Sequence, residues 1–460
     1  MIGFSEGFHD AAITVVQDGE IKFATHAERY SRVKHDKNLN LPVCLEALLH
    51  TEDDIIAFYE RPWLKRTRQL FAGQYKSALK PRNLFFTPSH YYSHHLSHAA
   101  AAFQTSPYQD AVCVVVDSIG EWDTASIWKA QMVEGHAKYK KVWSSRYPRS
   151  IGLWYSAYTK WAGLRPLDEE YIFMGMAAFG KPLYVEQARN LLSRNNHKGF
   201  TISLEGTPED NSKSAEVVLE ERLKEIFNKA KKISSNICYG GGVALNCVVN
   251  TKLQEMCNLW IMPNPGDAGA SLGAALLPYG DKVIFNPYLG YDIQRNIDPK
   301  EVVDALLQKG ICGIANGPAE FGPRALGNRS LLADPRTLEM KDKVNEIKKR
   351  QKFRPFAPVI LEEHCQDYFD MPSESRYMSY VYNCKRPQDI PACIHVDNSA
   401  RVQTVPTWSS SIIREILECW YERTGCPVLL NTSLNIRGMP IVNTWENAKE
   451  FSNLYQVDVF

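Results

Sequence analysis

His94 and His98, four residues apart, offer the first chemistry in this chain. They lie in YYSHHLSHAAAAF, an alanine-rich stretch that favours a helix, so both imidazoles leave one helix face and can reach one ion. The apolar run AVCVVV that follows reads as a strand, and it delivers Asp117 at its end. A glycine-rich turn, NPGDAGASLGAAL, places Asp267 at a predicted helix start. Two imidazoles and two carboxylates form a mixed donor set suited to iron, manganese or zinc. Paired histidines beside alanines also occur as plain helix packing, and the aspartates are what weight this set toward a metal.

A second group of residues could hold anions. In ICYGGGVALN a strand runs into Gly240, Gly241 and Gly242 and then a helix, so backbone N–H groups, with Asn246 closing the motif, could face a phosphate. Glycines also serve tight turns, so that turn alone decides nothing. In EFGPRALGNRSLLADPR, Arg324 and Arg329 sit among small residues, and arginine forks recognise phosphate or carboxylate. In QKFRPFAPVI, Lys352 and Arg354 are expected to alternate out of a short strand and share one sheet face. Solvated surface charge is the alternative, made less apt by the surrounding glycine, proline and aromatic residues. IHVDNSARVQTV adds His395, Asp397, Arg401 and Gln403 along an extended segment. NTSLN places Ser433 and Asn435 directly after the strand PVLL, a hydroxyl and an amide for phosphate or carbonyl oxygens.

These residues need elements to position them. AAITVVQDGEIKFATHAERY predicts two strands joined by an Asp18-Gly19 type I′ turn, and AVCVVVDSIGEWDTASIW repeats a strand-rich start, which points to a duplicated α/β architecture. The segment VIFNPYLGYDIQRNIDP, near residues 280–298, reads as an interdomain passage, and strands alternating with helices beyond it predict a second α/β unit. A chain of 460 residues, 44% hydrophobic and 23% charged, can build two buried cores and is not a disordered protein. Its 53 basic and 52 acidic residues give no global attraction to polyanions. The 11 cysteines form no C-x-x-C pair and read as reduced core residues, while no apolar run approaches membrane-spanning length; a cytoplasmic protein is expected.

One local stretch departs from that balance. Arg61 to Phe86 carries seven basic residues, no acidic ones and five aromatics. It reads first as a solvated basic helix packed on its aromatics, and second as a nucleic-acid surface.

The motifs GVALN, GDAGASLGAAL, EFGPRALGNRS, FRPFAP, HVDNSARVQTV and NTSLN, with HHLSHAA and GFHDAA, stand in the order found in the NodU and cephem-type O-carbamoyltransferases, which this chain resembles over nearly its whole length. The resemblance implies an α/β protein with an actin-like (ASKHA, TsaD-type) domain over 1–285 and a YrdC-like α/β domain over 298–460. It implies that the YrdC-like domain makes carbamoyladenylate from carbamoyl phosphate and ATP, with magnesium accompanying ATP. The carbamoyl group then passes, at the metal-containing domain, to the hydroxyl of an acceptor, here expected to be a small metabolite. The alternative acceptor is a hydroxymethyl pyrimidine of nucleic acid, such as 5-hydroxymethylcytosine.

Carried over by motif, His94, His98, Asp117 and Asp267 would hold a divalent metal, iron(II) ahead of manganese or zinc, with His9 near the acceptor. Arg324, Lys352, Arg354, Arg401, Ser433 and Asn435 would handle carbamoyl phosphate and nucleotide phosphates. Gly240, Gly241, Gly242, Asn246, Arg329 and His395 would complete the cofactor contacts. Gly317-Pro318 stands where the family has glycine-arginine, and Ile172 where it has lysine, so one phosphate contact is expected to be missing or replaced. A homodimer is compatible with the sequence. Two other classes compete with this reading, a tRNA threonylcarbamoylation factor and a non-catalytic nucleotide-binding protein. The joined order of domains argues against the first, and the dense Arg, Lys and Ser-x-Asn set against the second.

Overall fold

The computed structural model describes residues 1–80, 84–200, 202–372 and 374–460. The chain forms two compact units, one of Met1–Ala27 with His35–Asn286, the other of Glu28–Lys34 with Pro287–Phe460.

The first unit holds two five-stranded sheets. One contains β1 (Ile2–Ser5), β2 (Ala12–Gln17), β3 (Glu20–His26), β4 (Ile56–Phe58) and β5 (His90–Tyr91) in the order β3-β2-β1-β4-β5. Asp18 and Gly19 both take positive φ (52° and 81°), as a type I′ turn requires, and close the β2–β3 hairpin with Gln17 opposite Glu20. The other sheet contains β6 (Asp110–Gly120), β7 (Asp123–Val133), β8 (His136–Arg146), β9 (Asn236–Gly240) and β10 (Asn258–Ile261) in the order β10-β9-β6-β7-β8. Each sheet pairs three strands antiparallel and adds two in parallel to its first strand. That doubled order is the actin-like arrangement, so the duplication is real in topology. The helix His94–Gln104 packs on β6 and on the helix Ala270–Tyr279. Ala99, Ala102 and Phe103 meet Ala111, Cys113 and Val115 there in a buried cluster. Small side chains on that helix bring its backbone close to the sheet, which is what lets its first turn reach the end of β6.

The second unit is also α/β. β11 (Tyr288–Ile293) pairs antiparallel with β13 (Gly317–Glu320), while β12 (Ile311–Ala315), β14 (Arg329–Ala333), β15 (Ala357–Leu361), β18 (Gln403–Val405) and β19 (Val428–Ser433) form a mixed sheet ordered β12-β14-β19-β15-β18; β16 (Tyr382–Asn383) and β17 (Ser399–Ala400) make a small ribbon. Strand alternation decides which side chains go where. Cys312, Ile314, Leu332 and Leu429 point into a core with Val302, Ile416 and Trp420, under the helices Pro299–Lys309 and Ile412–Thr424. Ile311, Ala315, Leu331 and Leu430 point the other way, onto Val344 and Phe451 of the helices Leu338–Ile347 and Trp445–Tyr455. Both sheet faces are covered, so the strand sequences run apolar without a polar alternation.

Two expectations are corrected. The division falls between Asn286 and Pro287, inside the expected 280–298 passage, but Tyr288–Ile293 within that passage is a paired strand of the second unit. Glu28–Lys34 also joins that unit, where Arg32 donates to the carbonyls of Ile441 at 2.7 Å and Pro440 at 3.3 Å. All 11 cysteines are free, and 9 are buried, as a reduced core requires. Among the described residues, no helix is long and apolar enough to cross a membrane.

Candidate metal centre and anion site

The regular pairing of β6 with β7 ends at Val116 opposite Ala125, and Asp117 follows at the register shift, where its side chain leaves the ladder. His94 and His98 come off one face of the first helical turns, and Asp267 precedes the helix Ala270–Tyr279. Their ligand atoms converge. His94 Nε2 stands 3.0 Å from Asp117 Oδ2, 3.4 Å from Asp267 Oδ1 and 3.1 Å from His98 Nε2. His98 Nε2 lies 3.3 Å from Asp117 Oδ2 and 3.4 Å from Asp267 Oδ1. Donors held about 2.1 Å from one ion, at angles of about 90–109°, stand about 3.0–3.4 Å apart, so the spacing is that of a ligand set. All four residues are buried.

The electrostatics agree. Burial works against a charge on His94, yet Asp267 and Asp117 overcome it and lift its pKa to about 10. Burial likewise opposes the Asp267 carboxylate, which His94 and His98 hold well below the usual range. Two carboxylates and two imidazoles at this spacing could hold a cation. His95, between them in sequence, plays no part: its Nδ1 meets Ser126 Oγ at 2.7 Å, and burial with His94 beside it depresses its pKa to about 3.

His9 stands near this cluster's field. Burial lowers its pKa, but Asp10, Asp267 and Asp117 together raise it above the ordinary value, and its Nδ1 lies 2.8 Å from Asp10 Oδ2. The triglycine turn has a different employment from the phosphate cradle expected of it. Gly241 N–H donates to the Pro265 carbonyl at 2.8 Å and Gly242 N–H reaches Asp117 Oδ1 at 3.4 Å, so the turn braces a carboxylate. Gly241 has φ +91° and a Cβ there would stand 2.3 Å from the Val116 carbonyl, so only glycine fits. Asn246 caps the helix Cys247–Gln254 by accepting from Val249 N–H at 3.1 Å.

In the second unit the anion site is built around a residue the motifs did not single out. Lys348 follows the helix Leu338–Ile347, is 5% exposed, and donates to the Ser433 carbonyl, to Ser433 Oγ at 3.1 Å and to Asn435 Oδ1 at 2.8 Å. Burial and then Arg350, Arg354 and Lys34 depress its pKa well below the ordinary 10.5, so the charges acting on it are all positive. Ser433 and Asn435 are thus brought together, and Arg354 lies close enough to act on the same ammonium. Lys352 is exposed, and it and Arg354 sit in the loop before β15 rather than alternating out of a strand. The two prolines after them delay the strand to Ala357.

Arg324 rides on a loop held from beneath by Glu320, whose Oε1 accepts from Leu326 N–H at 2.7 Å and Asn328 N–H at 2.9 Å. Arg329 is not offered to a ligand. Its side chain is 0% exposed and donates to the carbonyls of Tyr291, Asn316, Gly317, Asn328 and Asn443, which makes it a structural clamp. Arg401, between β17 and β18, keeps a buried Nε without a partner, and His395 is buried where the chain turns into β17. Ile172 is a core residue, 1% exposed.

The basic stretch 61–86 folds much of its charge inward. Arg61 makes a two-pronged contact with Glu121 at 3.1 and 2.8 Å, Lys65 is buried on Glu60 at 2.9 and 3.0 Å, and Arg68 is buried. Pro81, Arg82 and Asn83 lie outside the described residues. Among the described residues of the stretch, Arg66, Lys76 and Lys80 remain exposed, with Trp63, Phe71 and Tyr75 beside them in sequence.

The first unit thus gathers two histidines and two aspartates, and the second gathers basic side chains about Lys348. The family pattern described as Carbamoyltransferase N-terminus matches residues 56–207 and 201–276, and Carbamoyltransferase C-terminus matches 303–460. The chain belongs to this carbamoyltransferase family. An uncharacterized protein of Synechocystis sp. is 32% identical over 97% of this chain and 93% of its own length. Nodulation protein NolNO of Sinorhizobium fredii is 30% identical over 96% of this chain and 76% of its own. The 3′-hydroxymethylcephem-O-carbamoyltransferase of Amycolatopsis lactamdurans is 26% identical over 96% and 94%. Among solved structures, the activator of the 2-hydroxyisocaproyl-CoA dehydratase from Clostridium difficile covers 60% of this chain and 92% of its own, at 12% identity and a TM-score of 0.35, too slight a likeness to argue from.

Proposed function

We propose that this carbamoyltransferase is an ATP-dependent O-carbamoyltransferase acting in the cytosol on a hydroxyl of a small metabolite. Its second unit, read as YrdC-like, takes carbamoyl phosphate, water and ATP to carbamoyladenylate, phosphate and pyrophosphate. Its first unit passes the carbamoyl group to the acceptor. The observation that carries this reading is the gathering of basic side chains around buried Lys348, where Arg350, Arg354 and Lys34 lie close enough to depress its pKa, an environment that favours an anion. Ser433 and Asn435 fix that side chain and Arg354 adds charge beside it, while Arg324 and Arg401 would supply further donors to the substrate anions.

In the first unit His94, His98, Asp117 and Asp267 would hold a divalent ion, iron(II) ahead of manganese or zinc, which when bound supplies a Lewis acid for a carbonyl or phosphoryl oxygen. His9, its Nδ1 turned to Asp10, presents Nε2 to take the proton of the acceptor hydroxyl as its oxygen attacks the carbamoyl carbon and AMP leaves. The name of the Amycolatopsis relative supports a hydroxymethyl acceptor of metabolite size. The inward-turned charges of 61–86 favour it over nucleic acid.

The test is mass spectrometry of reactions containing the protein, ATP, carbamoyl phosphate and a panel of alcohols that includes a 3′-hydroxymethylcephem and hydroxymethylated DNA. AMP and pyrophosphate should appear only with carbamoyl phosphate present, and a small alcohol should gain a carbamoyl group. ADP in place of AMP would sink the adenylate route, and carbamoylated DNA would reverse the choice of acceptor.

A further inference from the structure

His9 does not stand alone. Its Nδ1 is 2.8 Å from Asp10 Oδ2, Asp10 Oδ1 is 2.6 Å from His35 Nδ1, and His35 Nε2 is 2.6 Å from Asp168 Oδ1. Arg165 Nη2 closes the series at 2.8 Å from Asp168 Oδ2. Base, acid, base, acid and guanidinium alternate across three separate segments of the first unit.

The protonation pattern follows from the geometry. A carboxylate oxygen only accepts, so both ring nitrogens of His35 carry hydrogen and the ring is an imidazolium. Asp10 then divides its two oxygens between two donors, which places the hydrogen of His9 on Nδ1 and leaves the lone pair on Nε2. The His35 imidazolium is thereby held between the carboxylates of Asp10 and Asp168.

The backbone is shaped for this arrangement. Asp10 and His35 both take positive φ, 55° and 56°, a conformation that Asp and His adopt more readily than most side chains and that here turns each ring or carboxyl out of its loop. The two segments are stitched together by Gly7 N–H to the Lys37 carbonyl at 2.7 Å and Ala11 N–H to the Asp36 carbonyl at 2.8 Å. His35 and Asp168 both lie outside the motifs that identify the family, whereas Asp10 stands beside His9 within GFHDAA.

We propose that His35 and Asp168 are positioning residues for carbamoyl transfer, holding Asp10 so that His9 keeps its proton on Nδ1 and aims Nε2 at the acceptor. The proposal rests on reading His9 as the base, and its test separates the two. Full-length protein with ¹⁵N-labelled histidine should show His9 protonated at Nδ1 and His35 protonated at both nitrogens. His35→Leu and Asp168→Asn should each turn His9 into a mixture of tautomers, while His35→Lys, which can still donate to both carboxylates, should keep the wild-type form. Bound metal should be unchanged in all three variants. With a 3′-hydroxymethylcephem as acceptor, His35→Leu should lower the transfer kcat about 10- to 100-fold, the range for partners that orient a reacting ligand, with AMP formation intact and partial recovery in His35→Lys.

A neutral His35 in the wild type, or an unchanged His9 tautomer in both His35→Leu and Asp168→Asn, overturns the proposal. So does equal loss of AMP formation and transfer, which marks a merely structural role. The tautomer readout needs no turnover, so it stands or falls whether or not the acceptor has been chosen correctly.

Discussion

Replacing Lys348 by methionine should separate the chemistry of the second unit from its stability. The ammonium is 5% exposed and gives three hydrogen bonds, to the Ser433 carbonyl, Ser433 Oγ and Asn435 Oδ1. Those bonds favour the fold, while burial and the neighbouring cations work against a charge on Lys348. The two nearly cancel, and Ser433 Oγ keeps its 2.6 Å bond to Asn435 Oδ1 without the lysine. A methionine of similar length should therefore leave urea unfolding within about 1 kcal/mol of wild type. Adenylation should behave otherwise, because one preorganised donor removed from a developing charge lowers kcat about 10²- to 10³-fold, or about 2.7–4 kcal/mol. The assay is AMP and pyrophosphate release from ATP with saturating carbamoyl phosphate. Lys352→Met is the control: that side chain is exposed, and its removal should change the rate by no more than about twofold. Near-normal AMP release from Lys348→Met, or loss in Lys352→Met alone, would refute the assignment.

Four other outcomes are expected. His94→Ala or His98→Ala should strip the bound metal and halt transfer while AMP release continues; transfer by a metal-free double variant contradicts the site. Gly241→Ala puts a Cβ 2.3 Å from the Val116 carbonyl at a φ of +91°, so the turn must move off Asp117 and metal affinity, read by titration, should fall at least about 10-fold. Lys348 is depressed below 10.5, so at pH values between its depressed pKa and 10.5 it is neutral until an anion restores its proton. Pyrophosphate binding should accordingly take up protons in that window and none above it, visible by calorimetry in buffers of different ionisation heat; proton release would sink the idea. Arg329→Met strands carbonyls that a buried guanidinium now serves, at a cost of about 3–5 kcal/mol in urea unfolding, and a loss below about 1 kcal/mol would show it is not a clamp.

The fold was legible where the chain must satisfy itself locally. Asp18-Gly19 dictates a type I′ hairpin because few other pairs accept two positive φ angles, and the apolar runs AVCVVV and PVLL could only be buried strands. The domain division was less legible. Tyr288–Ile293 looked like a linker because turn formers crowd it, and it becomes a strand only through pairing with β13, a partner that lies further along the chain. Glu28–Lys34 joins the second unit through Arg32 and two carbonyls more than 400 residues away, a contact that no local pattern encodes.

The same contrast runs through the sites. His94 and His98 could be paired from sequence because helix periodicity alone puts them on one face, and each aspartate sits at a strand or helix end, where side chains leave the ladder. Lys348 could not be chosen over Lys352, because a run of Lys, Lys and Arg looks like a solvated end until the fold shows which member is swallowed. Asp10, His35 and Asp168 carried less signal still, being single residues on loops whose value lies in 2.6 Å contacts across 25 and 133 positions. Helix and strand periodicity therefore exposes ligands that share an element, while residues that act by meeting across loops become visible only in three dimensions. It is among those loop residues, next to a base already marked by its motif, that variants of this enzyme should most readily lose transfer while keeping the metal and the adenylate.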